Sequence, residues 1–224
     1  MREERLGGTV SLASWLTPHL EVTGTVGADT WSTTDRPRTK TVHAGVAVDH
    51  RRLNDRLTTT LSLVQWIGRG RSGSAEMAWV GSRDARPLVL VARAGGHLAS
   101  ADAPLAAWSG AGEGRSRGPL LRAHTLMHDG RIDGPVFGQR LAYATVELQH
   151  WLARPRLVRL GFAVFVDAAA AGRRPAFVAG LPWHVDAGTG IRVRVPGTTG
   201  AFRVDYAHGL RDRAAAWFIG WQPR

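Results

Sequence analysis

The chain has 224 residues, 44% of them hydrophobic, which is enough for one domain with an ordered interior and too apolar for a disordered polymer. It has no cysteine, so disulfides and thiolate metal sites are excluded, and it has no run of about 18 apolar residues that could make a transmembrane helix. The formal net charge is +11, with Lys40 as the one lysine, a surplus that favours anionic partners such as phospholipid head groups, lipopolysaccharide or nucleic acid.

The opening MREERLGGTVSLASWL has a charged head, but Gly7, Gly8, Thr9, Ser11 and Ser14 dilute the apolar stretch that a signal peptide needs. An outer-membrane protein without a signal implies a part of a longer chain. From Thr9 to Leu16 the residues alternate, with Val10, Leu12, Ser14 and Leu16 on one face, and Pro18 ends the run. Leu20, Val22, Val26 and Ala28 then oppose Glu21, Thr23, Thr25 and Asp29. Past the turn TDRPRTK, Val42, Ala44, Val46 and Val48 oppose Thr41, His43, Gly45 and Asp49. A period of two with one apolar face is the strand signal. Leu57–Ile67 is a further strand, with an ambiguous face near Val64. Ala75, Met77 and Trp79 mark the next, and Leu88, Leu90, Ala92 and Ala94 the one after.

A long loop follows, at about 100–135, well beyond the usual handful of connecting residues and therefore a functional candidate. It carries Arg122 in an apolar setting. After it, Ala142, Ala144, Val146 and Leu148 oppose Tyr143, Thr145, Glu147 and Gln149. On the next strand Val158, Leu160, Phe162, Val164 and Val166 form one fully apolar face, and Arg159, Gly161, Ala163, Phe165 and Asp167 form the other. In the following segment Asp186, Gly188, Gly190, Arg192 and Arg194 share the polar face. Phe202, Val204 and Tyr206 oppose Arg203 and Asp205. In the last strand Trp217, Ile219 and Trp221 oppose Phe218 and Gly220.

This makes roughly eleven strands without helical periodicity, at about 20 residues per strand and loop, a spacing that suits long membrane hairpins better than the 8–12 of soluble sandwiches. The reading is an all-β protein, a transmembrane antiparallel β-barrel forming a single domain over residues 1–224, with an apolar outside and a charged lumen. A soluble β-sandwich or soluble barrel is the competing reading, because alternation alone does not tell them apart. Trp15, Trp31, Trp66, Trp79, Trp151, Trp183, Trp217 and Trp221 fall mostly near strand ends, where aromatic girdles lie in membrane barrels.

Several motifs dissolve on inspection. Gly68-Arg69-Gly70-Arg71-Ser72-Gly73 has the form GxGxxG, but a strand rather than a helix follows, so a hairpin loop is expected. His124 and His128 have the spacing of zinc helices, but Asp129-Gly130 breaks the segment, so two loop histidines are expected and no metal site. No GxSxG elbow is present, and neither catalysis nor a cofactor is expected. The turns RGRSG and GRSRG lack interleaved aromatics, which argues for lipid head groups and against nucleic acid. Alternation places Glu147 and Asp167 on the lumenal side of adjacent strands. Two converging acids need a cation between them, and Arg122 has the planar fork for it, whereas Arg117 in the same loop has no such role.

The region from about Pro87 to Gln222 resembles the C-terminal barrel of the bacterial surface-antigen superfamily, which holds the BamA/TamA-type assembly factors and the two-partner-secretion transporters. Leu121-Arg122-Ala123-His124 stands where that family has an apolar residue, Arg, Gly and an aromatic in an infolded loop. Phe165-Val166-Asp167-Ala168-Ala169 is similar to its F-x-D-x-G motif, Glu147 to its strand glutamate, and AWFIGW to its final, assembly-signal strand. Ala123, His124 and Ala169 depart from the pattern. The family barrel has sixteen strands, so this chain would be an incomplete part of one. The resemblance implies that Arg122, Glu147 and Asp167 anchor the loop in the lumen. It also implies that Trp217, Phe218, Ile219, Gly220 and Trp221 form the closing strand, and that the role is insertion or translocation of outer-membrane or secreted client proteins. A barrel that only anchors or displays an activity encoded elsewhere is the alternative.

Overall fold

The computed structural model describes residues 3–33, 36–82, 87–112, 120–128, 131–132, 134–152, 158–172, 180–195, 197–198 and 200–223. Arg117 and the GRSRG turn lie outside the described residues. Six strands precede the long loop: β1 (Glu3–Thr17), β2 (Leu20–Thr33), β3 (Arg36–Arg52), β4 (Leu57–Trp66), β5 (Arg71–Val80) and β6 (Leu88–Ala99). The loop holds a 3-10 turn at Leu105–Ala107 and four two-residue strands, β7 (Ser109–Gly110), β8 (Met127–His128), β9 (Arg131–Ile132) and β10 (Phe137–Gly138). Five long strands complete the chain: β11 (Arg140–Trp151), β12 (Arg159–Gly172), β13 (His184–Arg194), β14 (Gly200–Gly209) and β15 (Ala215–Pro223).

The long strands form one 11-stranded antiparallel sheet in chain order, with β6 pairing β11 across the loop. Each alternating segment of the sequence is one of these strands, because a meander pairs sequence neighbours through short turns and every period-two run can be laid down beside the last. The turns hold the expected special backbone. Gly68 and Gly70 take positive φ between β4 and β5, so the GxGxxG stretch is a hairpin loop.

Alternation sets two unlike faces. Val26, Val46, Leu61, Leu63, Met77, Leu90, Val146, Leu148, Leu160, Phe162, Val164, Val166 and Ile191 stand exposed on the outer face. The strand β12 begins at Arg159, so the outer row starts at Leu160, and Val158 just before it is half-buried. The inner face combines polar and small residues with large ones such as Trp66, Leu141 and Phe165, and described residues of the loop between β6 and β11 pack against it. Ala111, Leu120, Leu121 and Val136 of the loop pack with Leu141 and Ala169 of β11 and β12, and Ala103 and Ala107 pack on Trp66. Trp66 settles the ambiguity of β4, because Val64 lies beside it on the inner face.

One expectation is corrected. Trp31, Trp66 and Trp151 do not belong to an outer girdle. They share parity with Asp29, Val64 and Glu147 and are buried on the inner face. Trp66 stacks against His43 at 4.7 Å between ring centroids, and Trp151 sits under the guanidiniums of Arg159 and Arg194 at 5.3 and 4.5 Å. Trp15, Trp183, Trp217 and Trp221 are exposed. The last strand, β15, pairs with β14 and has no pairing with β1 among the described residues. With an 11-stranded meander the first and last strands run in the same direction, so an antiparallel seam between them is geometrically unavailable. The edge strand β1 is exposed along both faces from Leu6 to Pro18.

Candidate functional site: a loop arginine among strand carboxylates

Four neighbouring strands each bring one acid to the inner face: Glu147 on β11, Asp167 on β12, Asp186 on β13 and Asp205 on β14. Strand register explains why they meet. Glu147 pairs with Phe165, Phe165 with Gly188, Asp167 with Asp186, and Gly190 with Asp205. The four acids thus fall in three successive inward-facing rows of the sheet, Asp167 and Asp186 in one, Glu147 in the next and Asp205 in the third, and Asp167 and Asp186 are directly opposed. Like charges in opposed positions destabilise a sheet unless cations separate them.

Three consecutive loop residues supply what these acids need. The Arg122 guanidinium donates from Nη1 to Glu147 Oε2 at 2.9 Å and to Asp205 Oδ2 at 3.0 Å. Its Nε stands 3.0 Å from Asp167 Oδ2, and Nη2 donates to Asp167 Oδ1 at 3.3 Å. Its Cζ lies over the Phe165 ring at 3.5 Å from the centroid, so one face of the fork is covered by an aromatic and its edge by carboxylates. The Ala123 N–H donates to Asp186 Oδ2 at 2.7 Å. His124 places Nδ1 2.8 Å from Asp186 Oδ1 and Nε2 2.6 Å from Asp212 Oδ2. Opposed Asp167 and Asp186 therefore go to different loop residues.

A second arginine completes the network. Arg192 on β13 is wholly buried. Its Nε donates to Glu147 Oε1 at 3.1 Å, its Nη2 lies 2.8 Å from the same oxygen, and its Nη1 donates to Asp205 Oδ1. Arg203 approaches Asp205 Oδ2 at 3.7 Å, and Gln149 donates to Glu147 Oε1 at 2.7 Å. Three guanidiniums thus face Glu147, Asp167 and Asp205, and the cluster is close to neutral, as burial of charge requires. A Cβ at Gly190 would meet both Asp205 and Arg192, and one at Gly188 would meet the Phe165 ring. The two glycines open the space that the network occupies.

The sequence-predicted trio Arg122, Glu147 and Asp167 is brought together. Sequence reasoning missed Arg192, Asp205, Asp186 and the carboxylate of Asp212. The available signal was the inner face of β13, where glycines alternate with buried charges, a composition that makes sense only if something bulky fills the gap. The departures Ala123 and His124 fit their surroundings: the Ala123 methyl packs with Phe165 and Ala207, and His124 is bracketed by two carboxylates. The hydrogen bond to Asp186 is the main cause that raises the His124 imidazole to about 9; burial opposes it, and Asp212 adds to it. The same histidine lowers Asp212 to about 2. The remaining sequence-predicted group, Trp217, Ile219 and Trp221, lines the exposed outer face of β15, while Phe218 and Gly220 turn inward and the Arg203 guanidinium lies 4.4 Å over the Phe218 ring.

No family model matches the sequence, and no curated protein matches it. Among solved structures the chain is similar to the crystal structure of BamA from Haemophilus ducreyi lacking POTRA domains 1–3, at a TM-score of 0.64 and 14% sequence identity. The match covers 98% of this chain and 53% of that one, so the chain spans about half the length of that structure. The chain therefore has a BamA-like β-barrel fold, with the strand order, the apolar outer face and the packed inner loop described above.

Proposed function

We propose that this chain is an outer-membrane β-barrel of the surface-antigen type that assists insertion or translocation of outer-membrane or secreted proteins, without covalent chemistry, metal or cofactor in that role. The observation that supports it best is the Arg122 fork held by Glu147, Asp167 and Asp205 on the inner face. A loop fixed at that depth gives the interior a defined shape. The outer face supports the membrane setting. Apolar side chains exposed along one strand after another are unfavourable in water and are what lipid requires. The arginine surplus suits phospholipid or lipopolysaccharide head groups at the rims.

A second reading has its own support. The buried loop residues Leu120, Leu121, Leu126 and Val136 fill the interior against β11 and β12, which also suits a barrel that only anchors or displays a larger protein. Reconstitution separates the two. The protein is placed in vesicles of phosphatidylethanolamine and phosphatidylglycerol, a urea-unfolded small outer-membrane barrel is added, and its folding is followed by protease protection. The insertion reading predicts faster client folding than in empty vesicles, and loss of that gain in Arg122→Ala. Client folding at the rate of empty vesicles contradicts it and leaves the anchoring reading.

A further inference from the structure

At the loop end of the sheet His124, His184 and Asp212 place one ligand atom each within 4.8 Å of one another. They come from the infolded loop, the first residue of β13 and the turn between β14 and β15, so nothing in local sequence links them. His184 Nδ1 lies 3.4 Å from Asp212 Oδ2, and although buried it has no hydrogen-bond partner among the described residues. The two imidazoles stand edge to face, with centroids 5.1 Å apart.

We propose that His124, His184 and Asp212 form a zinc site that staples the infolded loop to the rim of the barrel. The donor set carries the choice of ion: two imidazole nitrogens and one carboxylate oxygen suit zinc, and offer too few oxygens for calcium or magnesium. Bonds of about 2.0–2.1 Å in a tetrahedron set neighbouring donors about 3.3 Å apart. The His184–Asp212 separation of 3.4 Å already has that value. The His124–Asp212 separation of 2.6 Å is a hydrogen bond that opens by about 0.7 Å when the ion replaces the shared proton. Asp212 makes that movement from an exposed turn, with its side chain 38% accessible, and the same exposure gives the ion its way in. A solvent molecule takes the fourth position.

The surroundings fit the assignment. A ligating histidine usually gives its second ring N–H to a carboxylate, which fixes the tautomer and aims the other nitrogen at the metal. Asp186, fully buried and bonded to the Ala123 N–H, places its Oδ1 2.8 Å from His124 Nδ1, on the side of the ring away from Asp212. Gly209 is required by the same geometry, since a Cβ there would meet Asp212 and the His124 ring. Arg211, a cation of the same turn, donates to the carbonyl of Trp183 at 3.0 Å. The site goes beyond the proposed function and does not depend on it.

The test uses the full chain folded in detergent micelles, stripped with EDTA and dialysed. Zinc is titrated by calorimetry, and cobalt(II) is used as a spectroscopic stand-in. One saturable zinc per chain with a Kd of roughly 10 µM or tighter, and a tetrahedral cobalt spectrum, are expected. His184→Ala and Asp212→Asn should each weaken binding about 10-fold or more, and the positioning variant Asp186→Asn about 10–100-fold, with folding checked by heat-modifiable gel mobility. His208→Ala on the outer face should bind as the parent does. If His184→Ala fails to fold, Asp212→Asn in the exposed turn decides. Absence of saturable zinc binding below roughly 100 µM, or equal affinity in Asp212→Asn and the parent, overturns the site.

Discussion

Arg122 ties the infolded loop to carboxylates on three strands of the sheet. Its side chain is 3% accessible and meets three carboxylates. Truncation leaves Glu147, Asp167 and Asp205 with fewer cations in a place where water offers limited compensation. Breaking one partner out of a buried pair costs about 3–5 kcal/mol. The account predicts a loss of that size in Arg122→Ala by urea unfolding in detergent, whereas Arg131→Ala, an exposed loop arginine, should change stability by about 0.5 kcal/mol or less. Arg122→Lys should recover only part of the loss, because an ammonium lacks the planar fork that serves several carboxylates and cannot lie over the Phe165 ring in the same way. The opposite charge error gives the matching result. Glu147→Gln leaves Arg122 and Arg192 facing a neutral amide, and is expected to destabilise more than Asp49→Asn, whose carboxylate is only partly buried and accepts from Thr60. Equal stability of Arg122→Ala and Arg131→Ala would show that the network holds nothing together.

At the scale of the strands, the outer and inner rows make a matched comparison. Val26 stands exposed on the outer face of β2, and its neighbour Thr25 turns inward and is half-buried. An arginine at mid-bilayer on the lipid side costs about 2–4 kcal/mol, whereas a lumenal site tolerates the charge. Val26→Arg and Val164→Arg should therefore reduce the heat-modifiable folded band in lipid vesicles more than Thr25→Arg does. Ala163 is a poor lumenal control for Val164, since it is buried and an arginine there would have to displace packed neighbours. The strand rows were readable from the sequence because a period of two needs no knowledge of the neighbours. The row Leu160, Phe162, Val164 and Val166 shows the apolar face, and Asp167 shows the opposite one. What the sequence hid was cross-strand. Arg192 and Asp205 are far apart in the chain's pattern and meet Arg122 only once the registers of β12, β13 and β14 are set. His184 and Asp212 were hidden for the same reason. Trp31, Trp66 and Trp151 were misplaced for a different one: nearness to a strand end suggested a girdle, whereas parity with Asp29, Val64 and Glu147 assigns them inward.

For the whole molecule, the two faces and the loop form one arrangement. The outer face has the composition of a surface that meets hydrocarbon, and the inner face has acids, Asp167 and Asp186 above all, whose partners come from residues 122–124 of the seated loop. Removing the loop would take Arg122 from Asp167 and the Ala123 N–H and His124 from Asp186, and leave Glu147 and Asp205 to Arg192, Arg203 and Gln149 of the strands, so sheet and loop stabilise each other. The edges β1 and β15 stand apart from this arrangement, because among the described residues each is paired on one side alone. The interior network sits toward the C-terminal strands, where β11 to β14 supply the acids, and the resemblance noted in the sequence is densest over that same region. The absence of native cysteine makes the seating of the loop directly measurable. Ala123 of the loop and Ala207 of β14 pack in one buried cluster with Phe165, so the double variant Ala123→Cys with Ala207→Cys, assembled in vesicles containing lipopolysaccharide, should be joined by a short bifunctional thiol reagent and migrate faster on an unreduced gel. The account predicts near-complete joining in the parent background, a marked fall when Arg122→Ala is added, and none when Ala207→Cys is replaced by His208→Cys on the outer face. Two thiols that stay freely labelled in the membrane-assembled protein, with no joined species, would contradict a loop held inside the barrel by its arginine.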